Sequence, residues 1–419
     1  RKGRYHGPRS FSSRVLWPVI SSFPERKDEP VKWMDGIPVW GDPIEASALK
    51  QIQRCARTAD RAALMADHHK GYAVPIGGVV AYADKISPSG VGYDIACGNK
   101  AVRTDAQADD VRQNIARIMD DVFSHLTFGI GQKNRVRVDH ELFDDEAWKL
   151  EAVRPLKDLA RDQLGTVGGG NHYVDILVDE QDRVWIGVHF GSRGLGFKTA
   201  TWFLEKGGAK DGMDVDPLVI PANAALGADY LTCMHLAGRY AYAGRDWVCA
   251  ETARLLGWKI LEEVHNHHNF AWRETHGGQP LWVVRKGATP AFPGQKGFIG
   301  GSMGDISVIV EGVANDQAQW SLYSTVHGAG RTMGRMEAKG KFDRRTGKCL
   351  RPGKVTPEMM RRRVESFGTE LRGGGLDESP HCYKNLQTVL DAHAGTIKIL
   401  HVLRPIGVAM ADTEDPYRD

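Results

Sequence analysis

The sequence predicts an α+β fold built as a single large mixed domain, and three observations carry that expectation. Stretches with helical apolar spacing alternate with valine-rich, strand-like runs. No segment repeats itself, and no linker interrupts residues 31 to 419. The expected sheet is antiparallel or mixed. Residues 1 to 30 are polar, basic and punctuated by proline, so they read as an N-terminal extension, with the folded domain spanning 31–419.

Each element follows from its local pattern. ASALKQIQRCARTADRAALMAD combines apolar helical spacing with good helix formers and predicts a helix that ends before Asp67. YAVPIGGVVAYAD, rich in valine and glycine, reads as strands separated by turns. DVRQNIARIMDDVFSHL predicts a second helix after Asp109, and VDILVDEQDRVWIGVHF a hairpin through the polar turn DEQDR. From Ala222 to Arg273 the periodicity reads as helical nearly throughout, which would place His267 and His268 at a helix end. LWVVRKG and ISVIVEGV are strand-like, and NLQTVLDAHAGTIKILHVL predicts the last helix.

Bulk properties exclude several classes. Hydrophobic residues at 42% and charged residues at 26% match ordinary globular proteins, so neither wholesale disorder nor a fibre is supported. No run of about 18 apolar residues is present, and LWPVI is too short for a signal core, so the expectation is a cytoplasmic protein with no membrane contact. Six scattered cysteines without a CxxC pair argue against a disulfide framework or a zinc ribbon. A net charge of +3 means that nucleic acid could be held only through local patches. Arg1 to Arg14 and Arg344 to Arg363 are the candidates, although either taken alone is more often a solvated surface.

The 48 glycines cluster beside histidine or charge in GYDIACG, GTVGGGNH, HFGSRGLG, GGSMGD and HGAGR. Such loops let backbone approach a ligand and let amides cradle phosphate, so five of them suggest one phosphate-rich site. Neither GxxxxGK[ST] nor a strand-placed GxGxxG occurs, which disfavours a P-loop or dinucleotide fold. Metal-type ligands lie next to these glycines. Asp94 and Cys97 sit where a turn could aim both at one point, His172 follows GGGN, His189 ends an apolar strand, and His268 follows VHNH. Imidazoles with one thiolate and one carboxylate suit a divalent ion such as manganese, cobalt or zinc, and a thiolate can bridge two ions. A lone cysteine is more often a small buried residue, and a lone histidine a hydrogen-bonded structural one. His267, beside His268, is assigned a structural part; His6, His125, His140, His276 and His381 are assigned no part in the site.

His327 differs, because TVHGAGR gives it a glycine loop and Arg331 but no adjacent cysteine or carboxylate. That setting fits a phosphate-handling nucleophile: imidazole attacks phosphorus, amides hold oxygens, and arginine neutralises charge. Asp67 in MADHHKGY is a candidate orienting carboxylate, though sequence alone does not pair the two.

Taken in order, MADHHKGYAVPIGG, GVGYDIACG, QLGTVGGGNHYVD, VHFGSRGLG, EEVHNHHNF, VVRKGAT, GGSMGD and HGAGRTMGR resemble the RtcB family of RNA-splicing ligases over nearly all of residues 31 to 411. The resemblance implies the RtcB-like fold with a central dimetal cleft, two manganese ions and GTP as cofactors, and an RNA ligase joining 2′,3′-cyclic phosphate or 3′-phosphate ends to 5′-hydroxyl ends. It implies one metal on Asp94, Cys97 and His172 and a second on Cys97, His189 and His268. The guanylate would contact Asn171, His172, Asp175, His268, Asn269, Gly300, Gly301, Ser302, Met303, Ser307, His327, Gly328, Ala329 and Gly330. His327 matches the histidine that carries GMP and Asp67 its orienting acid, while Lys286, Arg193 and Arg331 would meet RNA or nucleotide phosphates. An activating protein is a further possible partner.

Several positions depart from the family. Asp175 stands for glutamate, Phe190 and Val326 for small or hydroxyl residues, Gly334 for serine, and Met410 for a lysine that helps hold guanylate; the chain also continues through ADTEDPYRD. Two alternatives follow: a paralogue acting as a dimetal RNA-end phosphodiesterase with weak sealing, and a non-catalytic RNA-binding module.

Overall fold

The computed structural model describes residues 31–343, 346 and 348–411. The basic stretch Arg1 to Arg14, His6 and the tail from residue 412 lie outside the described residues. The architecture is mixed α+β, organised by two sheets. The six-stranded sheet runs in the order Val31–Met34, Ile37–Trp40, Arg61–His69, Ile76–Tyr82, Gln279–Lys286, Asn269–His276. The eight-stranded sheet runs Ile260–His267, Gly98–Gln107, Arg183–Phe190, Tyr173–Asp179, Ile397–Met410, Ser307–Gly312, Lys296–Ile299, with Glu370–Arg372 attached beside Ile397–Met410. All pairings along that order are antiparallel.

The larger sheet curls until its edges meet. Asn266 Oδ1 accepts from the Phe298 N–H at 2.9 Å, and Asn99 Nδ2 donates to the Phe298 carbonyl at 2.9 Å. Each strand along the path sends one side chain inward: Val264, Ala101, Trp185, Leu177, Leu403, Ile309 and Phe298 form one buried cluster. Gly187 makes room for it, since a Cβ there would stand 2.8 Å from Leu177 and 3.0 Å from Phe298. Burying apolar area of this kind, at about 25 cal/mol per Å², is the main force holding the strands in place.

Three expectations about element type are corrected. The helix before Asp67 ends at Ala56, and Arg61–His69 is a strand; Leu64 faces one core while Ala63 and Met65 face another, so burial on both sides hides the alternation that would mark a strand. The helix Ala225–Leu256 stops at Gly257, whose φ of +71° is the left-handed turn that glycine accepts, and Ile260–His267 and Asn269–His276 follow as strands. His267 therefore lies on a strand, not on a helix, and His268 lies between two strands. Near the C terminus only Leu386–Asp391 is helical, and Ile397–Met410 completes the larger sheet between two neighbours. In each case tertiary pairing overrides local propensity. The hairpin Tyr173–Asp179 to Arg183–Phe190 and the strands Gln279–Lys286 and Ser307–Gly312 form as expected. Among the described residues no helix is long and apolar enough to cross a membrane.

The smaller sheet is tied to its neighbours by a buried cation. Arg285, with no exposed side-chain surface, donates twice to Glu274 (2.6 and 3.1 Å), to Ser324 Oγ at 2.7 Å and to the Leu322 carbonyl at 2.8 Å. Burial pushes the Glu274 carboxyl upward, but Arg285 and His276 outweigh it and hold it below its ordinary value. Removing one partner of such a pair costs about 3–5 kcal/mol, because the other is left charged and buried. Glu274→Gln is thus expected to lower stability by about that amount at pH 7 in urea titrations. A depressed folded pKa stabilises above the unfolded value of about 4.3 and ceases to do so as pH falls through the folded value. The gap between Glu274→Gln and the parent should therefore narrow below about pH 4.

Candidate metal centre and histidine site

Antiparallel register brings the ligand-type residues together. Cys97 immediately precedes the strand Gly98–Gln107, His172 immediately precedes Tyr173–Asp179, and His189 is the penultimate residue of Arg183–Phe190. His189 pairs with Asn99 on one side and Tyr173 on the other, so the beginnings of two strands lie level with the end of the third. Cys97 Sγ is 3.3 Å from His189 Nε2 and 3.7 Å from His172 Nε2. His172 Nε2 is 3.1 Å from Asp94 Oδ2, and a turn closed by the Cys97 N–H donating to the Asp94 carbonyl at 3.1 Å brings that carboxylate in. Gly191 is required for close approach, since a Cβ there would lie 2.0 Å from Asp94 Oδ1.

His268 sits where the chain leaves the larger sheet after His267 and enters the smaller one at Asn269. Its N–H donates to the Cys97 carbonyl at 2.8 Å. Its ring lies 5.0 Å from that of His189 and 4.9 Å from that of His327, and its Nδ1 is buried without a hydrogen-bond partner.

The electrostatics fit a cation. Burial, helped by Asp94, raises the Cys97 thiol well above its ordinary pKa. Burial lowers His189 and His268 well below theirs, with His172 and His327 adding to it respectively. Burial would raise Asp94, yet His172 pulls it down to about 2. The neutral imidazoles of His189 and His268, with lone pairs available, therefore stand beside a carboxylate and a thiol. Separations of 3.1 to 3.7 Å between these donor atoms match the edges of a coordination polyhedron whose bonds are about 2.0–2.3 Å. The residues present fit a divalent ion, and Cys97, His172 and His189 converge closely enough to share one.

On the other side of His268, His327 and Asp67 pair although 260 residues separate them. Asp67, on the strand Arg61–His69, accepts through Oδ2 from His327 Nδ1 at 2.6 Å and from the His327 N–H at 2.9 Å. Burial alone would raise Asp67, but His327 holds it below its ordinary value, so it is a carboxylate. The hydrogen bond places the proton on Nδ1 and leaves the Nε2 lone pair free. Gly330 has φ +74°, and a Cβ there would lie 2.1 Å from the Asp67 carbonyl, so the loop lies directly against the strand.

The remaining predicted residues lie in several settings. Asn269 accepts from the Gly287 N–H at 2.7 Å, and Ser307 Oγ accepts from the Gly301 N–H at 3.0 Å. The Gly300 to Met303 loop bridges to Gly328, and Ala329 is buried beside it. Ser302 lines a hollow with Asp305, Tyr383, Lys384 and Asn385. Asn171 is half-buried; Asp175 is buried with Oδ1 unpartnered, and burial raises its carboxyl well above the ordinary range. Arg193 reaches His172 Nδ1 at 3.4 Å. Lys286 and Arg331 are engaged within the protein: Lys286 Nζ donates to the Tyr72 and Ser89 carbonyls, and Arg331 to Tyr383 Oη, Glu378 and the Asp377 carbonyl. Phe190, Val326 and Met410 are buried in apolar clusters.

Comparison with known proteins identifies the family. The family model described as tRNA-splicing ligase RtcB matches residues 48–153 and 148–411. The chain belongs to the RtcB family. The RNA-splicing ligase RtcB of Escherichia coli strain K12 is 31% identical over 418 residues, covering 91% of this chain and 97% of its own. The tRNA-splicing ligases RtcB of Thermococcus kodakarensis and Archaeoglobus fulgidus are 31% and 32% identical, each covering 83% of this chain and 86% of their own.

Within this RtcB fold, the sequence reading missed Arg245 and Lys384. Arg245 is fully buried on the helix Ala225–Leu256 and donates to the Ala96 carbonyl at 3.0 Å, the Phe190 carbonyl at 2.6 Å, His265 Nε2 at 2.8 Å and His267 Nδ1 at 2.9 Å. It fixes both the turn before Cys97 and the strand end after His189. A charged residue on the stripe of Ala241, Val248 and Thr252 was the available signal. Lys384 donates to the Ala66 and His68 carbonyls on either side of Asp67.

Cys97→Ala is expected to lose divalent metal after dialysis, by more than the roughly 10–100-fold typical of losing a supporting residue. Cys249→Ala, a buried cysteine in another cluster, should keep it. Inductively coupled plasma mass spectrometry decides, and unchanged content in Cys97→Ala would remove the thiolate from the ligand set.

Proposed function

We propose that the chain is a GTP-dependent RNA ligase that seals RNA 2′,3′-cyclic phosphate or 3′-phosphate ends to 5′-hydroxyl ends through a guanylylated His327. The Asp67–His327 hydrogen bond carries the reading, because it leaves Nε2 as the free nucleophilic atom beside a cluster of ligand-type side chains. His327 Nε2 attacks the α-phosphorus of GTP, forming an N–P bond as the bond to pyrophosphate breaks. Asp67 keeps the proton on Nδ1 and stabilises the positive charge that the ring gains. The RNA 3′-phosphate oxygen then displaces His327 from phosphorus, and the 5′-hydroxyl attacks the activated 3′-phosphate and releases GMP, losing its proton.

Asp94, Cys97, His172, His189 and His268 would hold two manganese ions, which neutralise charge on the attacking and leaving oxygens when bound. Glycine-loop amides from Gly300 to Met303 and Gly328 to Gly330 would hold the nucleotide, with Asn171, Asp175, Asn269 and Ser307 beside it. A cytoplasmic setting suits the free thiols.

A second reading, an RNA-end phosphodiesterase with weak sealing, is favoured by one observation. Met410, where the family has lysine, is buried with Met303 and Tyr173 and gives the nucleotide no charged contact.

The test is incubation with manganese and GTP labelled at the α-phosphate. Acid-labile, alkali-stable label on the chain is expected, absent in His327→Ala and slower by about 10²–10⁴-fold in Asp67→Asn. Hydrolysis of a cyclic phosphate without any label would establish the second reading instead.

A further inference from the structure

One of the two basic stretches of the sequence lies largely among the described residues. Between Arg335 and Arg363 eleven Lys and Arg residues face three Asp and Glu, a net of +8 in a chain whose total is +3. Within this stretch the structure forms the short hairpin Gly340–Phe342 with Cys349–Pro352 and the helix Pro357–Phe367. Met360 and Val364, one turn apart, bury the helix against Val355 and Ala338, while Arg361, Arg362 and Arg363 remain exposed. Lys341, Lys348, Arg351 and Arg361 are exposed and make no salt bridge among the described residues, whereas Lys354 and Arg362 pair with Glu337 and Glu358.

This basic face joins the site. The cluster beneath it contains Met303 of the GGSM loop and Tyr173, whose ring lies 5.4 Å from that of His189. At the near end, a Cβ on Gly170 would lie 3.5 Å from Arg335, and one on Gly304 would lie 3.5 Å from Arg363. Surplus cations on a hairpin and a helix, continuous with a phosphate-handling site, match a polyanion whose charges continue beyond the reacting end.

We propose that the paired strands Gly340–Phe342 and Cys349–Pro352, with Lys348 beside them, and the exposed face of the helix Pro357–Phe367 form the docking surface for the RNA backbone away from the reacting end. The proposal rests on the RNA-ligase reading for its choice of partner. Each unpaired Lys or Arg meets a phosphate and releases counterions, so binding is sequence-independent and weakens with salt.

The test compares the parent chain with the quadruple variant Lys341→Gln, Lys348→Gln, Arg351→Gln and Arg361→Gln, using a fluorescent stem-loop RNA ending in a 3′-phosphate. The variant should bind about tenfold or more weakly at low salt, and log K should fall less steeply with log salt, by about 0.7 to 0.9 for each phosphate that is no longer neutralised. Labelling by GTP and the melting temperature should stay at parent values. Equal affinity and slope, with labelling intact, would overturn the docking surface and leave the ligase reading standing. Unchanged RNA binding together with cosedimentation on phosphatidylserine vesicles would assign the face to membranes and also overturn it. A parent chain that takes no label but binds RNA through these residues would remove the ligase reading alone. A variant with a lowered melting temperature is replaced by Lys348→Gln with Arg361→Gln, for which unaltered RNA affinity would again overturn the proposal.

Discussion

The site depends on the antiparallel register among Gly98–Gln107, Arg183–Phe190 and Tyr173–Asp179. Because side chains alternate between faces, a slip of one residue would turn His189 to the opposite face and separate it from Cys97 and His172. The register is held by the interior cluster around Trp185 and Phe298, where each strand contributes one side chain of fitting size. Hydrophobic packing some distance from any functional atom thus sets the placement of the thiol and the imidazoles.

Two buried arginines do the corresponding work at strand ends, where ladder hydrogen bonds run out. Arg245 donates to the carbonyls of Ala96 and Phe190, and does so beside the residues that converge on Cys97. Arg285 ties the smaller sheet to the segment that leads into His327. An arginine suits both positions because several donors on one rigid plane can serve carbonyls from different elements at once.

The residues that the structure brings together are more legible in the chain than its topology is. Asp94, Cys97, His172, His189 and His327 stand out because each lies beside glycines that a close backbone approach requires, as Gly191 against Asp94 shows. The pairing of Asp67 with His327 was not readable, since no local pattern links residues 260 apart. The strands Arg61–His69 and Ile260–His267 were mistaken for helix because alanine and glutamate favour helices when tertiary pairing is unknown. Arg245 was hidden by its type, since a lone charge in a long helix is ordinarily solvated.

His268 occupies a backbone crossing between the two sheets, touching the thiol side through its N–H and the His327 side through its ring. An ion shared between the thiol side and the His268 ring would also tie that crossing to the strand ends of the larger sheet. Binding free energy of that kind would add to the cohesion of the fold there by mass action, as RT ln(1 + [L]/Kd). Removing such an ion would therefore reach beyond chemistry into shape, loosening the seat of His268 between the two sheets.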